Sequence, residues 1–258
     1  MILSDQRRFF ASIDGQPVNV AGPADLITAI VARAKGRETF TLFTLNLDHL
    51  VKRRLDPAFA QAYARATLVS ADGAPIIALA RRQGAELERA TGADLVTPLC
   101  LAAAREGLPI YLFGSTAASL ASARAALLAH APGLDIRGLE APPHGFDPAS
   151  AAADAAGARI AASGARLCFV ALGAPKQEIF ADRMAARGEG VGYLCIGAAL
   201  DFLSGEQRRA PTLLRRLGLE WTWRLVTNPR RLGLRYARCA ALLAELVLLA
   251  PPIRRTGV

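Results

Sequence analysis

The sequence predicts an α/β fold: a Rossmann-like, mostly parallel sheet with helices on both faces, followed by an arginine-rich helical appendage at the C-terminus. Three observations predict it. Short apolar runs of strand length alternate with segments of helical period from Phe40 to Phe202. The runs are apolar almost throughout, as strands covered on both faces are. After Ala210-Pro211 no further strand-like run occurs, and the charge balance changes.

Taken in order, Arg8–Ile13 and Pro17–Val20 suggest a short strand pair around Asp14-Gly15. Asp25 to Lys35 has helical spacing, with Leu26, Ile27, Ile30 and Val31 apolar and Gly36 as a stop. Phe40 to Asn46 is the first sheet strand, followed by short helices at His49–Leu55 and Pro57–Arg65. Thr67 to Gly73 is the second strand, ending in an acid and a glycine. Helices follow at Ala74–Arg82 and Thr91–Arg105. Pro109 to Thr116 gives a third strand that runs into the helix Ala117–Ala129. Leu134–Leu139 is the fourth strand, and Ala149–Ser163 the helix after it. The fifth and sixth strands start at Leu167 and Gly192. Beyond Pro211, Thr212–Leu217, Leu219–Thr227 and Arg230–Leu249 are predicted as helices. The expected division is an α/β core over 1–210 and an appendage over 211–258.

Composition narrows the class. About half of the 258 residues are apolar (52%), enough for one sizeable core. The start of the chain predicts no signal peptide, and no run of about 18 uncharged apolar residues predicts a membrane span. Cys100, Cys168, Cys195 and Cys239 are scattered, two of them inside strand-like runs. They are expected as buried thiols in a reducing cytosol. The net charge of +9 is uneven. From Arg208 onward there are 11 arginines against Glu220 and Glu245, which accounts for all of it. Arginine holds phosphates with a rigid fork of donors, so the partner of the tail is anionic: a diphosphate, a lipid headgroup or a nucleic acid.

The most informative stretch is Leu167 to Glu178. An apolar strand breaks at Gly173, Pro175 is placed like a first helical residue, and Lys176, Gln177 and Glu178 fall in the first helical turn. A strand, a glycine turn and a helix start make an anion site. Ligands of such sheets bind at the carboxyl ends of the strands. Those ends hold Thr44 and Asn46, Asp72 and Gly73, Gly114 with Ser115 and Thr116, Gly173 with Lys176 to Glu178, and Gly197 with Asp201. Asp72 is the one carboxylate directly at a strand end, where it is either a general base or an Asp-Gly turn residue or helix N-cap. Walker A, GxGxxG and GxSxG motifs are absent. The histidines lack metal-ligand spacing, and His144, before Gly145, is a loop residue. There is no Asp-x-Asp pair to hold a divalent metal on a diphosphate. A nucleoside diphosphate would be met by arginine, lysine and helix ends. No metal and no cofactor are expected.

Seven segments occur in a recognisable order: Thr44-Leu-Asn46, Ser70-Ala-Asp72-Gly73, Thr91-Gly-Ala-Asp94, His144-Gly145-Phe146, Leu172 to Glu178, Gly197 to Phe202, and Arg209 to Tyr236 with Glu220-Trp-Thr-Trp-Arg224-Leu inside it. The chain so resembles the WecG/TagA/CpsF glycosyltransferases, glycosyltransferase family 26, from about residue 10 to 238. The resemblance implies an inverting, metal-free transfer from a UDP-sugar to a polyprenyl-diphosphate-linked acceptor at the cytoplasmic membrane face, in surface or exopolysaccharide synthesis. It implies Asp72 as general base, with Thr44 and Asn46 lining the sugar pocket. Gly73, Asp94, Gly114, His144, Gly173, Pro175, Lys176, Gln177, Glu178, Gly197 and Asp201 would contact substrate. Arg224, Arg230, Arg231 and Arg235 would close over the diphosphate. Leu45 and Ala74-Pro75 depart from the family's usual residues beside that pocket, leaving N-acetylmannosamine, its uronic acid and glucose as donor sugars.

The alternative class is a non-catalytic basic α/β module on nucleic acid or anionic membrane. Nucleic acid is disfavoured because the arginines are not interleaved with exposed aromatics. Trp221 and Trp223 lie two apart on a helix and do not share a face, so at least one is expected in the core. The last helix joins arginines to the apolar run Ala240–Ala250, broken by Glu245. It suits either an anionic membrane surface or packing on the core or on a second copy of the chain. A peripheral protein on the cytoplasmic face is expected, and a homo-oligomer stays open.

Overall fold

The computed structural model describes residues 10–207, 210–211, 214, 220–227 and 229–249. Strands β1 (Ala11–Ile13) and β2 (Gln16–Val18) form an antiparallel pair; the expected extension to Arg8 lies outside the described residues. The main sheet contains β3 (Phe40–Leu45), β4 (Leu68–Ala71), β5 (Ile110–Gly114), β6 (Ile136–Glu140), β7 (Leu167–Ala171) and β8 (Gly192–Cys195). Among the described residues its order is β4-β3-β8-β7-β5-β6, with every pairing parallel. All carboxyl ends therefore share one rim.

Every strand of the main sheet but β6 is buried along its whole length. Edge strand β6 alternates between half-buried and exposed. Side chains leave a strand alternately on its two faces, and the core splits accordingly. Phe43, Leu45, Cys168 and Val170 pack on one face. They meet α2 (Leu47–Leu55), α3 (Pro57–Arg65), α4 (Ala74–Arg81), α7 (Ala151–Ala162) and α8 (Lys176–Ala185) through Leu50, Phe59, Tyr63, Ile76, Ile160 and Phe180. Phe40, Leu42, Phe169 and Ala171 pack on the other. There they meet α1 (Pro23–Lys35), α5 (Gly92–Arg105), α6 (Ala117–His130) and α9 (Ala199–Ser204) through Leu26, Ile30, Leu99, Leu120 and Leu200.

Helix starts follow the side chains that can cap them. Asn46, expected as a strand residue, caps α2 by accepting the His49 N–H (3.0 Å), so that helix begins earlier than the spacing suggested. Asp56, Thr91, Thr116 and Ser150 cap α3, α5, α6 and α7 in the same way. Pro175 occupies the cap position of α8, one residue before the helix, after a cis Ala174–Pro175 peptide.

Two further helices close the described chain, α10 (Glu220–Thr227) and α11 (Pro229–Leu249). The helix expected over residues 212–217 falls almost wholly outside the described residues. Helix α11 packs against α2 and α4. Cys239 and Leu242 are buried, and Leu243 and Leu246 pack on the face formed with α2. Arg54 bridges Asp14 and Glu245 (2.9 Å to the latter), and Arg82 donates to the Val247 carbonyl (3.0 Å). Glu245, which interrupts the apolar run in the sequence, is thus the partner of an exposed arginine on α2. The four cysteines are free and buried.

Candidate active site

A cleft of about 1240 Å³ opens over the carboxyl ends of β3, β4, β7 and β8. Its floor is made where strands turn into helices. Thr44, Asn46 and Leu47 come from the β3–α2 turn, Asp72 to Pro75 from β4–α4, and Gly173, Ala174 and Gln177 from β7–α8. Thr91, Gly92 and Ala93 come from the start of α5, and Ile196 to Ala198 follow β8. The N-termini of α2, α4, α5 and α8 therefore all reach one cavity. Each brings the positive end of a helix dipole, so the floor favours an anion before any side-chain charge is counted.

Asp72 sits at the tip of β4. Its backbone N–H donates to the Leu45 carbonyl (2.8 Å), which continues the β3–β4 ladder by one step and fixes the residue beside Thr44 and Asn46. Gly73 follows with φ +98°, a conformation that favours glycine, and lets α4 begin at once. Asp72 is half-buried and lines the cleft.

Four other acid–base candidates line the cleft, Asp48, His49, Glu206 and Glu220, and the first two are engaged with near neighbours. Asp48 is salt-bridged to Lys52 (2.7 Å) and Arg235 (2.8 Å). His49 is buried, with Nδ1 2.6 Å from the Tyr63 hydroxyl. Burial pulls its pKa down to about 3, too weak a base to take a proton near neutrality.

Cations reach the cleft from three directions. Lys52, on α2, also donates to the Ala174 carbonyl (2.9 Å) and so ties α2 to the β7–α8 turn. Arg89 stands near Asp94 (3.8 Å), which the Thr91 hydroxyl also holds (2.8 Å). Arg235 comes from α11. The wall contributed by α10 and α11 is otherwise mostly apolar and aromatic: Trp221, Trp223, Leu232, Tyr236, Cys239 and Leu243. Trp221 and Tyr236 contact one another, their centroids 5.7 Å apart. Neither tryptophan belongs to the core, contrary to the helical-face argument. Both edge the cleft, with Trp221 44% exposed. A face turned from its neighbour on one helix can still border a cavity walled by two helices.

A model of the glycosyl transferase WecG/TagA/CpsF family matches residues 11–256 of the 258-residue chain. The chain belongs to this family. It is a glycosyltransferase, a transferase acting on a sugar donor and an acceptor in cell-envelope polymer synthesis.

The fold brings some of the glycosyltransferase's expected site residues together and not others. Thr44, Asn46, Asp72, Gly73, Gly173, Gln177, Gly197 and Arg235 line the cleft. Asp94 stands behind its wall, paired with Thr91 and Arg89. Pro175 and Lys176 are half-buried at the α8 start, outside the lining. Glu178 is fully buried beneath Gln177.

Gly114 serves packing: a Cβ there would lie 2.4 Å from the Ala171 carbonyl oxygen. Asp201 accepts from Ser115 and Ser119 and from Gln207 (2.9 Å), joining α9 to the β5–α6 turn. His144 is exposed in the turn after β6, across the sheet from β4. Arg230 is exposed and outside the lining, while the side chains of Arg224 and Arg231 lie outside the described residues. Asp48, Lys52 and Arg89 are the members sequence reasoning missed. An acid and a base four apart on the first turns of a helix that follows a strand end is the signal that points to the first two.

Proposed function

We propose that this glycosyltransferase is an inverting, metal-independent enzyme. It moves a hexose or N-acetylhexosamine (N-acetylmannosamine, its uronic acid, or glucose) from a UDP-sugar to a polyprenyl-diphosphate-linked sugar. The observation that carries the reading is Asp72 at a strand tip in a cleft where four helix N-termini, Lys52 and Arg235 converge. The Asp72 carboxylate takes the proton of the acceptor hydroxyl. The hydroxyl oxygen attacks the anomeric carbon from the face opposite the phosphate. The bond from that carbon to the phosphate oxygen breaks, and UDP leaves with the electron pair. Helix ends and the two cations offset the charge that develops on the leaving diphosphate.

Residues 1–210 form the catalytic core in this reading, and 211–258 a lid that completes the diphosphate site. Turnover of a UDP-sugar with a polyprenyl-diphosphate-linked acceptor tests the whole assignment. Hydrolysis or transfer of no UDP-sugar would overturn it.

Metal independence has its own test. Among the described residues no three His, Cys, Asp or Glu side chains gather to hold an ion. Turnover is expected to be unchanged by EDTA. Strong loss on chelation, restored by magnesium or manganese, is the contrary result.

The proposed place of action is the cytoplasmic face of the membrane. No helix among the described residues is long and apolar enough to cross a bilayer. While Leu242, Leu243 and Leu246 pack inward, α11 leaves Arg230, Leu234, Arg238 and Leu248 exposed, and Val226 of α10 is exposed as well. A surface of exposed apolar side chains flanked by arginines suits an anionic interface. The intact chain is expected to float with anionic liposomes, and a chain ending near Pro229 to float much less. Equal flotation of both, or of neither at low salt, would leave α11 as a packing element.

A further inference from the structure

Gln177 and Glu178 are adjacent in the first turn of α8, yet they do different things. Gln177 lines the cleft. Its amide donates one N–H to Glu178 Oε1 (2.8 Å), and its oxygen accepts the Gly197 N–H (3.1 Å). A primary amide has two donors and two acceptor positions, so among the described residues one of each is left for a ligand. The orientation of that amide is set by its two partners. One is backbone and cannot change. The other is Glu178.

Glu178 is 0% exposed, and its Oε2 has no hydrogen-bond partner among the described residues. An ionised carboxylate there is half-solvated at best, which is costly. The groups facing it are few. Helix α2 brings Lys52 and Asp48, which pair with each other; α3 brings Tyr63, and β8 brings Cys195. Burial raises both Tyr63 and Cys195, so neither carries charge near neutrality. Burial likewise pushes Glu178 up to about 7.

We propose that Glu178 is a positioning residue that takes up a proton as an anionic nucleotide sugar enters the cleft, and so couples donor binding to pH. The inference rests on the UDP-sugar reading above. Without a ligand, the Gln177 N–H and, behind it, the Lys52 ammonium favour the ionised form of Glu178, while Asp48 opposes it. A bound diphosphate brings two negative charges over the same turn and favours the neutral form. The neutral acid still accepts the Gln177 N–H through its carbonyl oxygen, so the amide keeps its orientation. By linkage, affinity is full below the pKa of the empty protein. It falls as pH rises through that value and levels off above the pKa of the complex.

The test is calorimetric titration of the full chain with UDP-glucose and with UDP-N-acetylmannosamine. Both phosphates of these probes are esterified and do not titrate near neutrality. Run in two buffers of different ionisation enthalpy at about pH 7.5, wild type is expected to take up about half a proton or more per ligand bound. Its Kd should weaken by about tenfold between about pH 6 and pH 8.5, while that of Glu178→Gln changes by less than about twofold. Equal enthalpies in the two buffers for wild type overturn the inference, whether or not the variant folds. Binding without proton uptake overturns it and leaves the donor reading intact. Failure of both probes to bind removes the donor reading, and the inference with it.

Discussion

Asp72→Asn is expected to lower turnover by about two to four powers of ten while leaving UDP-sugar affinity and the fold in place. The amide has nearly the same size and keeps the backbone link to the Leu45 carbonyl, so β4 should still end where it does. Gly73 still supplies the positive φ that starts α4. The negative charge is lost, and with it the ability to accept a proton. Two other acids are poor substitutes: Asp48 is held by two cations, and Glu178 is fully buried and does not line the cleft. The measurement is kcat and donor Kd for wild type and variant, with thermal unfolding as the control. Near wild-type turnover would return Asp72 to its alternative role as an Asp-Gly turn residue.

The sheet was legible because each strand is a short apolar run, and five of the six are buried along their length. Strand order was not legible. It is decided by which crossovers can pack, which is a property of pairs of elements far apart in sequence. That gap explains which site residues were placed well. Reasoning from strand ends finds Thr44, Asp72, Gly173 and Gly197, whose strands lie together at β4-β3-β8-β7. It also gathers Gly114, and the family resemblance adds His144; their strands β5 and β6 lie toward the other edge. Asp201 follows a correct strand, but two serines from β5–α6 and Gln207 turn its carboxylate to a structural task. Lys52 is a full turn into α2 and reaches the cleft only because α2 lies against the β7–α8 turn. The charge excess of the tail was visible, but not which arginine enters the site. Helical phase on α11 decides that, placing Arg235 inward and Arg230 and Arg238 outward.

Removing the chain after Ala210 is expected to abolish nearly all turnover while leaving a core that still unfolds cooperatively. The sheet and both of its helical layers are complete without the appendage, so the principal packing survives. What goes is a wall of the cleft: Trp221, Trp223, Arg235, Tyr236, Cys239 and Leu243. Burial of Leu242 and its neighbours goes as well, at about 1.5–3 kcal/mol per fully buried side chain, so the melting temperature should fall. Arg235→Ala separates the lost cation from the lost packing. Its Nε lies 2.8 Å from Asp48, which keeps Lys52 as a partner when the guanidinium is gone. Loss of one charged hydrogen bond to a diphosphate is worth about 1.5–3 kcal/mol, or about 10- to 150-fold in kcat/KM. Arg230→Ala, on the exposed side of the same helix, should change kcat/KM by less than about twofold, within the range of a screened surface charge. Full activity in the truncated core, or equal losses at Arg230 and Arg235, would mean that α11 lies over the cleft without belonging to the site.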